Sequence, residues 1–170
     1  MAAKLDALSG PVFVAVHHEP EKDGTPADWS AMQVHALPIL GRGNNVTVGV
    51  IGNGWWWSAK KKGYTDSEIA QWITPSVRRV SDVIGADTYD GGGEDAGVKI
   101  RRMSAWADRV GVSRLGIGEF NGQSAAAITH ATDAAKSDDR FVWACVWNSN
   151  HGTVTVLSGA RLKAFRAAIR

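Results

Sequence analysis

Val12-Phe-Val-Ala-Val-His-His-Glu-Pro20 is a short apolar run that turns polar at its C-terminal end and stops at a proline. Such a run reads as a buried strand that delivers an acid, Glu19, to one rim of a sheet and leaves it at the mouth of a cleft. A second run of the same kind, Arg114-Leu-Gly-Ile-Gly-Glu-Phe120, ends on Glu119. With three more, the β-like runs are Val12–His17, Val46–Ile51, Val83–Tyr89, Arg114–Gly118 and Phe141–Trp147. Helical spacing or composition fills the intervals at Ala27–Leu40, Val98–Val110, Ser124–Lys136 and Gly159–Ile169, with a shorter segment at Asp66–Ile73. Lys4-Leu-Asp-Ala-Leu8 reads as the end of a helix before Gly10-Pro11 and the first strand.

Strand then helix repeats five times at a spacing of roughly 30 residues, close to the ~31 obtained by dividing about 250 residues among eight βα units. The expectation is an α/β fold, a partial (β/α)8 TIM barrel of about five βα units in a single domain. A closed barrel would need about three more units, or roughly 90 residues. An open doubly wound parallel sheet is the alternative that alternating elements also allow. No phosphate fingerprint favours it, because Gly91-Gly92-Gly93 follows a strand without the Walker lysine or dinucleotide spacing and reads as a βα loop.

A length of 170 residues suits one domain with a sizeable core. The formal charge of +2 makes no electrostatic case for nucleic acid or a membrane surface. Lys60-Lys61-Lys62 reads as a solvated loop face, the N-terminus lacks the apolar region of a signal peptide, and no stretch approaches the ~18 apolar residues of a membrane span. Cys145 stands alone inside an apolar run, which excludes an intrachain disulfide and predicts a buried, inert thiol. No redox chemistry and no cofactor are expected. Tryptophan stands out, with eight in the chain, three of them consecutive at Trp55-Trp56-Trp57. Flat aromatic faces suit sugar rings, and strand alternation predicts that one of the three, taken as Trp57, serves as a platform while the others pack inward. Trp29, Trp72 and Trp106 lie in helical patterns and are expected to pack, as is Trp143.

Val16-His-His-Glu-Pro20 resembles the fourth-strand motif of clan A glycoside hydrolases, particularly family 26 mannanase-like proteins, in which a histidine precedes the acid/base glutamate. Gly118-Glu-Phe-Asn121 resembles the seventh-strand Glu-Phe-Gly motif that carries the nucleophile, with Asn121 where the motif has glycine. The resemblance spans nearly the whole chain as the C-terminal five-eighths of a barrel. It implies Glu19 as general acid/base and Glu119 as nucleophile of a retaining mechanism on a polysaccharide or oligosaccharide. It further implies Tyr89 beside the nucleophile and Trp147 as the floor of the cleavage subsite. A retaining pair stands about 5–5.5 Å apart and an inverting pair ~6.5–9.5 Å.

His18 has the chemistry to orient a carboxylate or bond a substrate hydroxyl, and His17 alternates to the opposite face. Asp87 and Asp90 suit sugar hydroxyls or, equally, strand-end turn chemistry. Zinc held by His17, His18, Glu19 and Asp87 is the competing reading of this cluster, but no His-Glu-x-x-His or cysteine pattern supports it and no metal is expected. At the level of function the competitor is a noncatalytic carbohydrate-binding or structural module. By analogy, phage tail proteins and exported proteins of actinobacteria are settings for such a domain, extracellular or virion-associated. The exposed edges of a partial barrel would call for a partner chain or a dimer to cover them.

Overall fold

The computed structural model describes residues 2–60, 63–91, 94–149 and 156–168. Lys61, Lys62, Gly92 and Gly93, and with them most of the expected lysine face and glycine loop, lie outside these residues. The five strands are β1 Val12–Ala15, β2 Val46–Asn53, β3 Val83–Asp87, β4 Leu115–Phe120 and β5 Phe141–Val146. Their helices are α1 Ala2–Asp6, α2 Pro26–Leu40, α3 Asp66–Trp72, α4 Pro75–Val80, α5 Ala96–Val110, α6 Ala125–Lys136 and α7 Gly159–Ala168. Local chemistry sets the helix starts. Thr25 and Thr74 cap α2 and α4 just before a proline, and Thr65 forms a reciprocal capping box with Glu68 at α3.

All strand pairs are parallel and the order is β1-β2-β3-β4-β5, so every crossover steps to the next position in the same direction. A doubly wound sheet needs a reversal of order, which this sheet lacks. The sheet curls into a half-barrel. Across its concave face the rings of Phe13 on β1 and Trp143 on β5 meet at 4.4 Å between centroids, although these are the two outermost strands. Gly116 makes room for that contact, since a Cβ there would lie 2.5 Å from the Trp143 ring.

The convex face carries the core. Val46, Val48, Val50, Ile84, Ala86 and Leu115 pack on Trp29 and Leu37 of α2, Ile69 and Trp72 of α3, Val77 of α4 and Met103 and Trp106 of α5. A second cluster joins Ile117 and Phe120 of β4 to Ile100 of α5 and Ile128 and Ala131 of α6. Burial fades toward the sheet edges: every residue of β3 is buried, every residue of β1 is half-buried, and Val142 on β5 is 45% exposed. Cys145 is exposed, which corrects the buried thiol expected from its apolar run; an apolar sequence predicts burial only where a neighbour covers the strand, and β5 is an edge. Among the described residues no helix is long and apolar enough to cross a membrane.

Candidate active site

The site gathers at the C-terminal ends of the strands. A register shift between Ala86 and Asp87 pairs Asp87 with Glu119 at the ends of β3 and β4, and Asn53 of β2 pairs with Asp87 on the other side. The Tyr89 hydroxyl, two residues beyond β3, donates to Glu119 Oε2 at 2.6 Å. His18 Nδ1 lies 2.7 Å from Asp87 Oδ2. Gly118 belongs to the same packing: a Cβ there would collide with Asp87 Oδ1 and Ile51, so only glycine lets β4 pass this close.

Glu19 reaches the site through a strained backbone. His17 and Glu19, neither of them glycine, have φ of 54° and 48°, in the left-handed region. Each such residue costs about 1–3 kcal/mol and persists only when its surroundings over-determine it. Here the Trp29 indole donates to the His17 carbonyl, the Gln33 amide donates to the Val16 carbonyl, and Glu19 N–H donates to the carbonyl of Ile51. The strained residues bracket His18 and turn the two histidines apart: His17 Nε2 pairs with Asp23 at 3.0 Å, while His18 pairs with Asp87.

The electrostatics separate the carboxyls. Burial raises the Glu19 pKa, and the charges of Glu21 and Glu119 add to it while His18 opposes it. Asp87, whose side chain is 1% exposed, is pushed up to about 7 by burial, against the hydrogen bond from His18. His18 is raised, with the Asp87 hydrogen bond as the largest cause. Burial and the bond to Glu119 raise Tyr89, which therefore stays a protonated donor at ordinary pH.

Each expected site residue has a definite place. Glu119, His18, Asp87 and Tyr89 come together, and Glu19 lies within electrostatic reach of them. Asp87 is a buried partner of His18 rather than a surface group for sugar hydroxyls, and Asp90 accepts from the Ala96 and Gln123 backbones as turn chemistry predicts. Trp57 is corrected: it is 3% exposed, edge-on to the buried Trp106, and no ligand face remains. The reason is local, because Gly54–Trp57 is a 3-10 turn and strand alternation does not apply to it. Trp147 lies just past β5, 38% exposed, with its N–H on the Phe120 carbonyl and its carbonyl accepting from Asn121. Trp55, half-buried and edge-on to Tyr64, is the member of the triplet that keeps some exposure.

The donor atoms of His18, Asp87 and Glu119 lie within 4.8 Å of one another and are the set that could hold a cation. Of the residues grouped for a metal in the sequence, His18 and Asp87 are in this set, His17 and Glu19 are not, and Glu119 is added; His17 is engaged with Asp23. The site is an open rim. A cavity of about 450 Å³ lies elsewhere, on the convex side between β5, α6 and α7, and is lined by Phe120, Phe141, Val142, Ala144 and Phe165. No protein-family model matches the chain, and no curated protein matches it.

Proposed function

We propose that the chain is a glycoside hydrolase-like domain that cleaves polysaccharide or oligosaccharide by a two-glutamate retaining mechanism, on a half-barrel equivalent to five βα units of a (β/α)8 barrel. The observation that carries this reading is the rim assembly itself: Glu119 held by the Tyr89 hydroxyl at 2.6 Å, in electrostatic reach of a half-buried Glu19 whose pKa is raised. Glycoside hydrolysis needs two carboxyls in different states.

Glu19, favoured in its protonated form by burial, gives its proton to the glycosidic oxygen as the bond to the anomeric carbon breaks. Glu119 attacks that carbon and forms a glycosyl ester, oriented by Tyr89 through one oxygen. Glu19, now ionised, takes a proton from water, and the hydroxide attack releases Glu119 with net retention. The His18–Asp87 pair holds a charged or neutral imidazole at the mouth for a sugar hydroxyl.

Glu119→Gln tests the assignment. It should lower hydrolysis by ~10³-fold or more while the affinity for a bound oligosaccharide stays within a few-fold. A wild-type chain that binds oligosaccharide without cleaving it, unchanged by the substitution, would establish the noncatalytic binding module in its place.

A further inference from the structure

Lys99 is a buried lysine that the two-glutamate chemistry leaves unused. It stands one turn into α5 and is only 6% exposed, and a lysine is almost never that buried unless a partner holds its ammonium. The partner is the carbonyl of Tyr89, which accepts from Lys99 Nζ at 2.6 Å. Tyr89 lies two residues beyond β3, past the last ladder pair of Asp87 with Glu119, so no strand pairing holds its carbonyl. The segment is tied to α5 instead, by Lys99 and by the Asp90 carboxylate, whose Oδ1 accepts from the Ala96 N–H at 2.9 Å. On the other side the Thr88 N–H donates to the Glu119 carbonyl at 2.7 Å, and the Tyr89 hydroxyl donates to Glu119 Oε2 at 2.6 Å. Tyr89 is therefore held at both ends, its backbone on α5 and its hydroxyl on the carboxylate at the end of β4.

Building on the two-glutamate reading, we propose that Lys99 is a positioning residue for the nucleophile: it fixes the Tyr89 carbonyl, and through it the hydroxyl that orients Glu119. A hydrogen bond from an ammonium is roughly twice as strong as one between neutral groups, and this one lies in the interior, away from competing water. A neutral side chain would satisfy the carbonyl at a lower desolvation cost, so the lysine marks a place where the strength of the bond matters. Burial lowers the Lys99 pKa, and the charges of Glu94, Asp90 and Asp95 oppose that and favour the ammonium. A carboxylate that must meet the anomeric carbon in line has need of such a hold, because a misplacement of about 1 Å can cost ~10²-fold in rate.

Lys99→Met tests the proposal, since it keeps the apolar stem and removes the ammonium. With an aryl glycoside that the wild type cleaves, kcat should fall by ~10- to 10²-fold while KM stays within a few-fold. In a Tyr89→Phe background the same substitution should change kcat by less than about 2-fold, because its effect runs through a hydroxyl already removed. Losses that multiply in the double variant overturn the proposal, because they put Lys99 on a separate, structural route. If Lys99→Met does not fold, Lys99→Gln, whose amide falls one bond short of the carbonyl, carries the same comparison. A second readout needs no substrate. The chain has two tyrosines, Tyr64 and Tyr89, so the ring ¹³Cζ signal of Tyr89 can be followed in the tyrosine-labelled full chain. Glu119→Gln should shift it, and Lys99→Met should shift it in the same direction. A Tyr89 signal that Lys99→Met leaves unmoved overturns the proposal. A moved signal in a chain whose wild type cleaves no glycoside upholds the link from Lys99 through Tyr89 to Glu119 and overturns the hydrolase reading instead.

Discussion

Asp87 is the residue whose burial has the clearest thermodynamic consequence. Its pKa is raised to about 7, so the folded chain binds a proton there that the unfolded chain releases near its ordinary value. A group raised in this way contributes stability that is fully present below the unfolded pKa and is lost as pH rises through the folded one. His18 is raised by its hydrogen bond to Asp87, a bond that lowers Asp87 itself, and acts with the same sign. Thermal stability should therefore fall between about pH 4 and about pH 8 through this pair, and Asp87→Asn should flatten that fall. Melting curves across the range check it; a wild-type profile with an unchanged slope in Asp87→Asn would refute it. Glu19, His18, Tyr89 and Glu119 were legible in the sequence because each is at or just beyond the polar end of an apolar run, where strands deliver side chains to a rim. The resemblance had implied Tyr89 beside Glu119; the His18–Asp87 pairing was not legible, because it spans 69 residues and depends on register. Cys145 misled because burial depends on what covers a strand, which its neighbours in sequence do not state, and Trp57 because a 3-10 turn does not follow strand alternation.

At the scale of elements, the starts of β1, β2, β3 and β5 agree with the apolar runs, and the ends differ because strands stop where the backbone bends. The run Val12–His17 overran β1 by two residues, the second of which, His17, has left-handed φ. Helix α4 was missed because Pro75 in a short polar stretch reads as a break, although proline at a first helical position behind a threonine cap is favourable. The β3–β4 crossing is the element contact on which the site depends. Gly118→Ala places a methyl group against Asp87 and Ile51, and should destabilise the chain by about 1–3 kcal/mol while displacing the His18–Asp87 bond. Denaturant unfolding measures the first effect and the His18 NMR titration the second. A variant as stable as wild type, with an unmoved His18, would show that the strands do not approach so closely.

For the whole molecule, the repeat of strand and helix announced a parallel α/β fold, and the sequential strand order, with no reversal, is consistent with a partial barrel or an open sheet. The partial-barrel reading implied a curled sheet, but the contact that brings its first and last strands together, Phe13 with Trp143, was not legible. The same curl leaves two parallel edges and an apolar β5, with Val142 and Trp147 exposed at 45% and 38%. Open edges of this kind promote association unless blocked by charge, so the isolated chain should self-associate with rising concentration and Val142→Lys should reduce it, as read by light scattering. A wild-type chain that stays monomeric throughout would show that the edge is already protected. The central claim concerns Glu119, and the most direct measurement is intact-mass and peptide analysis after incubation with 2-deoxy-2-fluoro glycosyl fluorides, which stall a retaining glycosidase at its covalent intermediate. The account predicts a single glycosyl adduct on Glu119, absent from Glu119→Gln; an adduct on Glu19 or elsewhere, or none while hydrolysis proceeds with inversion, would contradict it.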